Sequence, residues 1–242
     1  DLVMNRDIMP EKWQRAFDAL HAEYSGVFRV SDGACVKPLE GVEPVGFTLK
    51  DSYKPFHCPC PKWRPAEGRV LYDYYSKKLE SGEFFHNPGA TWASRPHIAL
   101  KPISGEPKKG DIFDIRPCGD YSQVNTHFKK SVPNYLCTQA EIKRAAGHLL
   151  YAVTDAHSQF QSVRVKEGID QECMTLWALK IGKITPRTLQ FGHLDASTLA
   201  QGIYRGFYQT DLAQDTRDNH SSFQDDSCVY AGGADEEITD KT

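Results

Sequence analysis

Residues 222–231 read as a short strand, an acidic turn and a second short strand, with Asp225-Asp226 between Phe223 and Cys228-Val229-Tyr230. A further acid, Asp155, ends an apolar strand, Ala152-Val153-Thr154. This pairing constrains the fold more than anything else in the chain. A carboxylate at a strand end and a pair in a hairpin turn can meet if their strands are neighbours in one sheet. Clustered carboxylates repel one another unless a cation sits between them. Mg²⁺ suits such a place, since it takes few carboxylates plus substrate phosphates. Two such ions can clamp the attacking and leaving oxygens of an in-line phosphoryl displacement. Read alone, however, the three acids are also a common polar hairpin tip and a common strand end.

The rest of the chain surrounds them with mixed elements. Trp13, Phe17, Leu20 and Tyr24 recur at helical spacing and predict a helix over 10–24. A Pro- and Gly-rich arm follows, with β-like pieces such as 45–49. Pro65 suits the first position of a helix, Leu71, Tyr75 and Leu79 form its apolar stripe beside Val70 and Tyr74, and Gly82 stops it. Residues 97–101 and 112–118 predict strands around a tip at 105–110. A helix is expected over 138–149, and strands over 151–154, 162–165, 172–179 and 184–189. Asp195 is a good N-cap for a helix carrying Ala196, Leu199, Ala200, Ile203, Tyr204 and Phe207. Without strict βαβ alternation, the order points to an α+β fold.

At 242 residues the chain has room for one large domain or two small ones. No stretch approaches the roughly 18–20 apolar residues of a membrane span. The start, Asp1-Leu2-Val3-Met4, is neither an initiator Met nor a signal peptide, and reads as a piece of something longer. Cysteines stand at 35, 58, 60, 118, 137, 173 and 228. His57-Cys58-Pro59-Cys60 has no second half at zinc spacing, so free thiols in a reducing compartment are the reading. Net charge is −3, yet residues 54–109 hold ten Lys/Arg against five Asp/Glu, and residues 211–242 hold two against nine. That segregation fits solvated faces, or a phosphate-tracking region in the first half and a metal-binding region at the end.

The neighbours of the acids carry a resemblance. Asp155-Ala-His-Ser-Gln-Phe-Gln-Ser-Val-Arg-Val165 resembles the first palm motif of reverse transcriptases from Gypsy-type LTR retrotransposons. Phe223-Gln-Asp-Asp226 is similar to that family's aromatic-x-Asp-Asp box. Between them, residues 191–201 resemble Phe-Gly-Leu-x-Asn-Ala-Pro-x-x-Phe-Gln, keeping Phe191, Gly192, Ala196 and Gln201 but carrying Asp195, Ser197 and Ala200 in place of Asn, Pro and Phe. Upstream, residues 116–125 are similar to Arg-x-Cys-x-Asp-Tyr-Arg-x-Leu-Asn, with Ser122 replacing the second Arg. Residues 79–85 and 91–96 resemble two further boxes. The ordered set covers about residues 45–235.

The resemblance implies an α+β, reverse-transcriptase-like right-hand polymerase: an N-terminal arm over 1–59 packing on the palm, mainly fingers over 60–150, and an antiparallel palm sheet over 151–242, with the thumb missing. It implies an RNA-directed DNA polymerase of a retrotransposon Pol polyprotein that adds deoxynucleotides to a primer 3′ end. Asp155, Asp225 and Asp226 would be the catalytic carboxylates. Together with the Ala156 carbonyl they would bind two Mg²⁺ ions, or Mn²⁺. Phe160 would be the steric gate against a 2′-hydroxyl. Arg116 would hold the triphosphate with help from Lys109, Phe191-Gly192 and Gln201 would flank nucleotide and template, and Lys101 would contact nucleic acid. Trp92 and Tyr121 read as packing residues.

The implied partners are an RNA/DNA template-primer, deoxynucleoside triphosphates, and the RNase H and integrase parts of the same polyprotein, with no membrane. The implied location is intracellular: cytoplasmic, in a virus-like particle, or nuclear. The departures in the middle box, the absent Arg at 122 and the end of the chain sixteen residues after Asp226 suit weak synthesis from this piece. They leave open a catalytically impaired, nucleic-acid-binding remnant. An RNA-dependent RNA polymerase shares the palm logic, but Phe160 argues against it.

Overall fold

Local signals bound some elements, and distant partners set others. The computed structural model describes residues 11–25, 36–59, 62–102, 113–131, 138–148, 150–178, 180–210, 214, 218–223 and 226–231. The chain forms two compact units, Asp1–Ala34 and Cys35–Thr242, so the expected arm over 1–59 is divided between them. In the first unit, α1 (Glu11–Glu23) carries an Arg15–Glu11 pair at 3.1 Å, and its Leu20 is half exposed.

In the second unit, Pro65 opens α2 (Pro65–Glu80) and Glu67 accepts the Arg64 N–H as half of a capping box. Ser81 closes the helix, and Gly82 follows in the left-handed region at φ 77°. The helix buries Leu71 and Tyr75, and the Tyr75 ring meets Phe84 edge-on at 5.6 Å. Phe84 begins β1 (Phe84–His86), which joins β6 (Gly182–Pro186) and β5 (Leu176–Ala178) in an antiparallel sheet of order β1-β6-β5. Trp92, Tyr121, Met174, Leu176, Ile184 and Leu189 make the centre of the core. Trp92 and Tyr121 are thus the packing residues expected; the Tyr121 hydroxyl donates to the Met174 carbonyl at 3.0 Å.

The long strands β2 (Arg95–Pro102) and β3 (Phe113–Asp120) pair antiparallel as expected; their tip lies outside the described residues. A short α3 (Ser122–Asn125) follows β3. The third sheet, β4-β8-β7, is built from β4 (Leu150–Asp155), β7 (His220–Phe223) and β8 (Asp226–Ala231), all antiparallel. Mixed helices and antiparallel sheets bear out the α+β expectation.

Several boundaries differ from expectation. The helix predicted over 138–149 is α4 (Thr138–Ala145); Gly147 takes φ 88° and ends it. The strand predicted over 162–165 is a 3-10 turn (Gln159–Ser162) followed by single bridges, Arg164 to Thr188 and Val165 to Val45. Val163 and Val165 are buried at alternate positions, without a continuous ladder. The strand predicted over 172–179 begins only at Leu176, because residues 169–172 wind into α5 (Ile169–Glu172). The one predicted over 184–189 stops at Pro186, which has no N–H to donate.

Among the described residues, Cys58, Cys118, Cys173 and Cys228 are free thiols. No described helix is long and apolar enough to cross a membrane.

Candidate active site

The apolar run of β4 delivers Asp155 to the strand's last position, and β8 begins at Asp226. The two are direct partners across the ladder, in register with Thr154 and Ser227. Opposed residues on an antiparallel pair share a face with Cβ atoms about 5 Å apart, and like charges so placed are destabilising. Both side chains are exposed. No described cation pairs with Asp155. Asp225 lies outside the described residues, as does Gln224. Among the described residues no group of three or more potential metal ligands assembles. Two opposed hard-oxygen donors at a solvent-open strand end nevertheless fit a Mg²⁺- or Mn²⁺-type cation, which would relieve their repulsion.

The reverse of this sheet is tied down by α6 (Ala196–Thr210). The Tyr208 ring lies 4.3 Å from His220 on β7, and His220 Nε2 is 2.7 Å from the Ser227 hydroxyl. Burial pushes the His220 imidazolium pKa down. Tyr204 on α6 meets the Ser162 hydroxyl at 3.0 Å, fixing the 3-10 turn.

From Asp155 the chain turns sharply through Ala156 and His157 to Ser158, which sits at φ 54°. That reversal delivers Phe160, half buried, against Phe191, half exposed; the rings meet edge-to-face at 4.7 Å and 89°. Phe191 stands on a turn whose next residue, Gly192, has φ 88°. A Cβ on Gly192 would lie 3.2 Å from the Gly119 carbonyl, so this turn rests against the end of β3.

Four hydrogen bonds hold the turn and its exit. The Asn125 amide donates to the Gly192 carbonyl at 2.8 Å and its oxygen accepts the Leu194 N–H at 2.9 Å. Asp195 accepts both the backbone N–H and the hydroxyl of Ser131, at 3.1 and 3.0 Å. Asp195 therefore precedes α6 as an N-cap should, while its carboxylate serves Ser131. His193 is buried among Phe47, Phe128 and Tyr121, with neither ring nitrogen partnered.

The remaining expected residues are more dispersed. Arg116 is exposed on β3, opposite Ala99 and three residues before the Gly119 contact, about 10 Å along the strand. Asp120 ends that strand; the Ser122 hydroxyl, at 2.6 Å, and the Arg95 charge hold its carboxyl below the usual range. Lys101 pairs in register with Asp114, but its side chain lies outside the described residues, and Lys109 lies outside them altogether. Gln201 is buried on α6 with its carbonyl oxygen unpartnered, away from the open surface. For Asn125 the sequence carries one signal, its place closing the box at 116–125.

No protein-family model and no curated protein matches the sequence. Solved structures do. The prototype foamy virus protease-reverse transcriptase matches with a TM-score of 0.73 at 13% identity, over 94% of this chain and 28% of that one. The foamy viral protease-reverse transcriptase in complex with an RNA/DNA hybrid matches with a TM-score of 0.74 at 11% identity, over 93% and 28%. A native foamy virus structure gives 0.73 at 12%, over 94% and 28%. This chain thus spans between a quarter and a third of those proteins, and at such identities the likeness is one of fold. The chain has a reverse-transcriptase-like fold.

Proposed function

We propose that this chain is the nucleotidyl-transfer portion of an RNA-directed DNA polymerase from a Gypsy-type retrotransposon Pol polyprotein. The observation that carries the reading is Asp155 directly opposite Asp226 at the open end of β4-β8. The Phe160–Phe191 pair, one sharp turn away, supports it. Asp155, Asp226 and Asp225, with the Ala156 carbonyl, would hold Mg²⁺. When bound, the metal would acidify a primer 3′-hydroxyl and neutralise departing pyrophosphate. Phe160, braced edge-on by Phe191, would sit under the sugar and leave no room for a 2′-hydroxyl. Arg116 would donate to phosphate oxygens as a bidentate fork. The foamy viral neighbour was solved with an RNA/DNA hybrid, which supports the same class of template-primer here. RNase H and integrase partners and a virus-like-particle location follow from the family resemblance alone.

The test is primer extension on an RNA template with Mg²⁺, comparing wild type with Asp155→Asn and Asp225→Asn. Each variant should lose on the order of a hundredfold or more in rate. The Asp155→Asn protein should be no less stable than wild type, because one of two opposed charges is gone. Equal extension by all three proteins would sink the reading. The second reading, a non-catalytic nucleic-acid-binding remnant, is favoured by the burial of Gln201 and the altered 195–200 box. Hybrid binding without extension by wild type would select it.

A further inference from the structure

We infer that Asn125 is the positioning residue of the proposed nucleotide site: its carboxamide brackets the 192–194 backbone and so sets Phe191 against Phe160. The inference rests on the nucleotidyl-transfer reading for what the turn serves, and on hydrogen bonds alone for what holds it.

The geometry admits one chemistry at position 125. The Gly192 carbonyl can only accept and the Leu194 N–H can only donate, so the bracket needs a donor and an acceptor on one planar group. A carboxamide supplies both, and the backbone fixes which end is nitrogen. Asn125 is itself anchored, ending α3 with its N–H on the Tyr121 carbonyl at 2.8 Å. On the far side, the Gly119 carbonyl leaves Gly192 little room to retreat. The turn is gripped between β3 and one amide. Phe191, just before it, is half exposed, and its ring meets Phe160 edge-to-face.

Asn125→Asp turns this into a chemical test. The two groups are isosteric, and a carboxylate still accepts from Leu194. It cannot donate to Gly192, and two oxygens then face each other. A protonated carboxyl can donate, and the Gly192 carbonyl it faces favours that form at higher pH than in a free Asp, so acid should restore the bracket. Among the described residues, the titratable groups with contacts at the turn are Tyr121, His193 and Asp195; each is common to wild type and variant, so the ratio of the two at each pH removes them.

The experiment uses the full chain with primer on an RNA template, dTTP and Mg²⁺, from about pH 7.5 to about pH 5. Hydrogen exchange of the Leu194 amide is followed alongside. Asn125→Ala should expose the Leu194 amide and raise KM for dTTP roughly tenfold with a smaller change in kcat. Asn125→Asp should keep Leu194 protected, raise KM at neutral pH, and recover toward wild type as pH falls. Unchanged Leu194 protection in Asn125→Ala overturns the inference, whatever the chain catalyses. Loss of protection with unchanged KM, or an Asn125→Asp deficit indifferent to pH, overturns the link to the nucleotide. If wild type neither extends nor responds to Asp155→Asn, the polymerase reading falls and the exchange arm decides the bracket by itself.

Discussion

At the scale of single residues, His193 is the anomaly. It is 5% exposed and neither ring nitrogen has a partner, in a cage of Phe47, Phe128 and Tyr121. An unsatisfied buried polar group costs about 1–3 kcal/mol. Burial also pushes its imidazolium pKa from the usual 6.5 down to about 4. In the unfolded chain the ring takes up a proton near the usual value, while the folded chain refuses it until about pH 4. Folding is therefore unaffected above the unfolded value and weakens as pH falls between the two. The loss approaches roughly 3 kcal/mol at the bottom of the window. His193→Leu, close in volume and apolar, should raise stability at neutral pH by about 1 kcal/mol or more and flatten the acid limb. Denaturant midpoints at neutral pH and near pH 5 check both. A variant that is less stable than wild type at both would mean that the ring nitrogens are satisfied after all.

Among elements, the decisive contact is between the end of β3 and the 191–194 turn, and glycines make it. A Cβ on Gly119 would lie 2.4 Å from the Tyr121 ring. Tyr121 cannot yield, being buried with its hydroxyl on the Met174 carbonyl. Gly119→Ala should thus cost about 3 kcal/mol, at the upper end of overpacking. Gly82→Ala, at φ 77° with nothing within 4 Å, should cost only the left-handed backbone term of roughly 1 kcal/mol. Equal urea midpoints for the two would contradict this packing. Elements with local punctuation were legible in the sequence: Pro65 and Gly82 bound α2, and an acidic turn between two short runs marked β7 and β8. The region 162–175 was not, because Arg164 and Val165 make single bridges to distant partners that no local pattern encodes. The opposition of Asp155 and Asp226 was foreseeable as a possibility only. The Asn125 bracket was invisible, since it joins residues 67 and 69 positions apart in sequence.

On the scale of the whole molecule, charge segregation is the feature that a binding experiment can test. Lys54, Lys62 and Arg69 are exposed, and no described acid pairs with them. They belong to the stretch 54–109, where basic residues outnumber acidic ones two to one, whereas the acids concentrate after residue 210. Net charge is −3, so long-range attraction cannot drive nucleic-acid binding; local phosphate contacts would have to. Such contacts release counterions, and each one on a duplex contributes about −0.9 to the slope of log affinity against log salt. If the basic stretch tracks the backbone, replacing Lys54, Lys62 and Arg69 together by Gln should reduce that slope on an RNA/DNA hybrid by about 2–3. The loss should be the same for different sequences, since phosphates carry no base identity. Thermal stability should hardly change, because exposed and unpaired side chains are being exchanged. Fluorescence anisotropy of a labelled hybrid over a salt series measures the slope directly. An unaltered slope would place the phosphate track elsewhere and reduce the charge asymmetry of 54–109 to a solvated face.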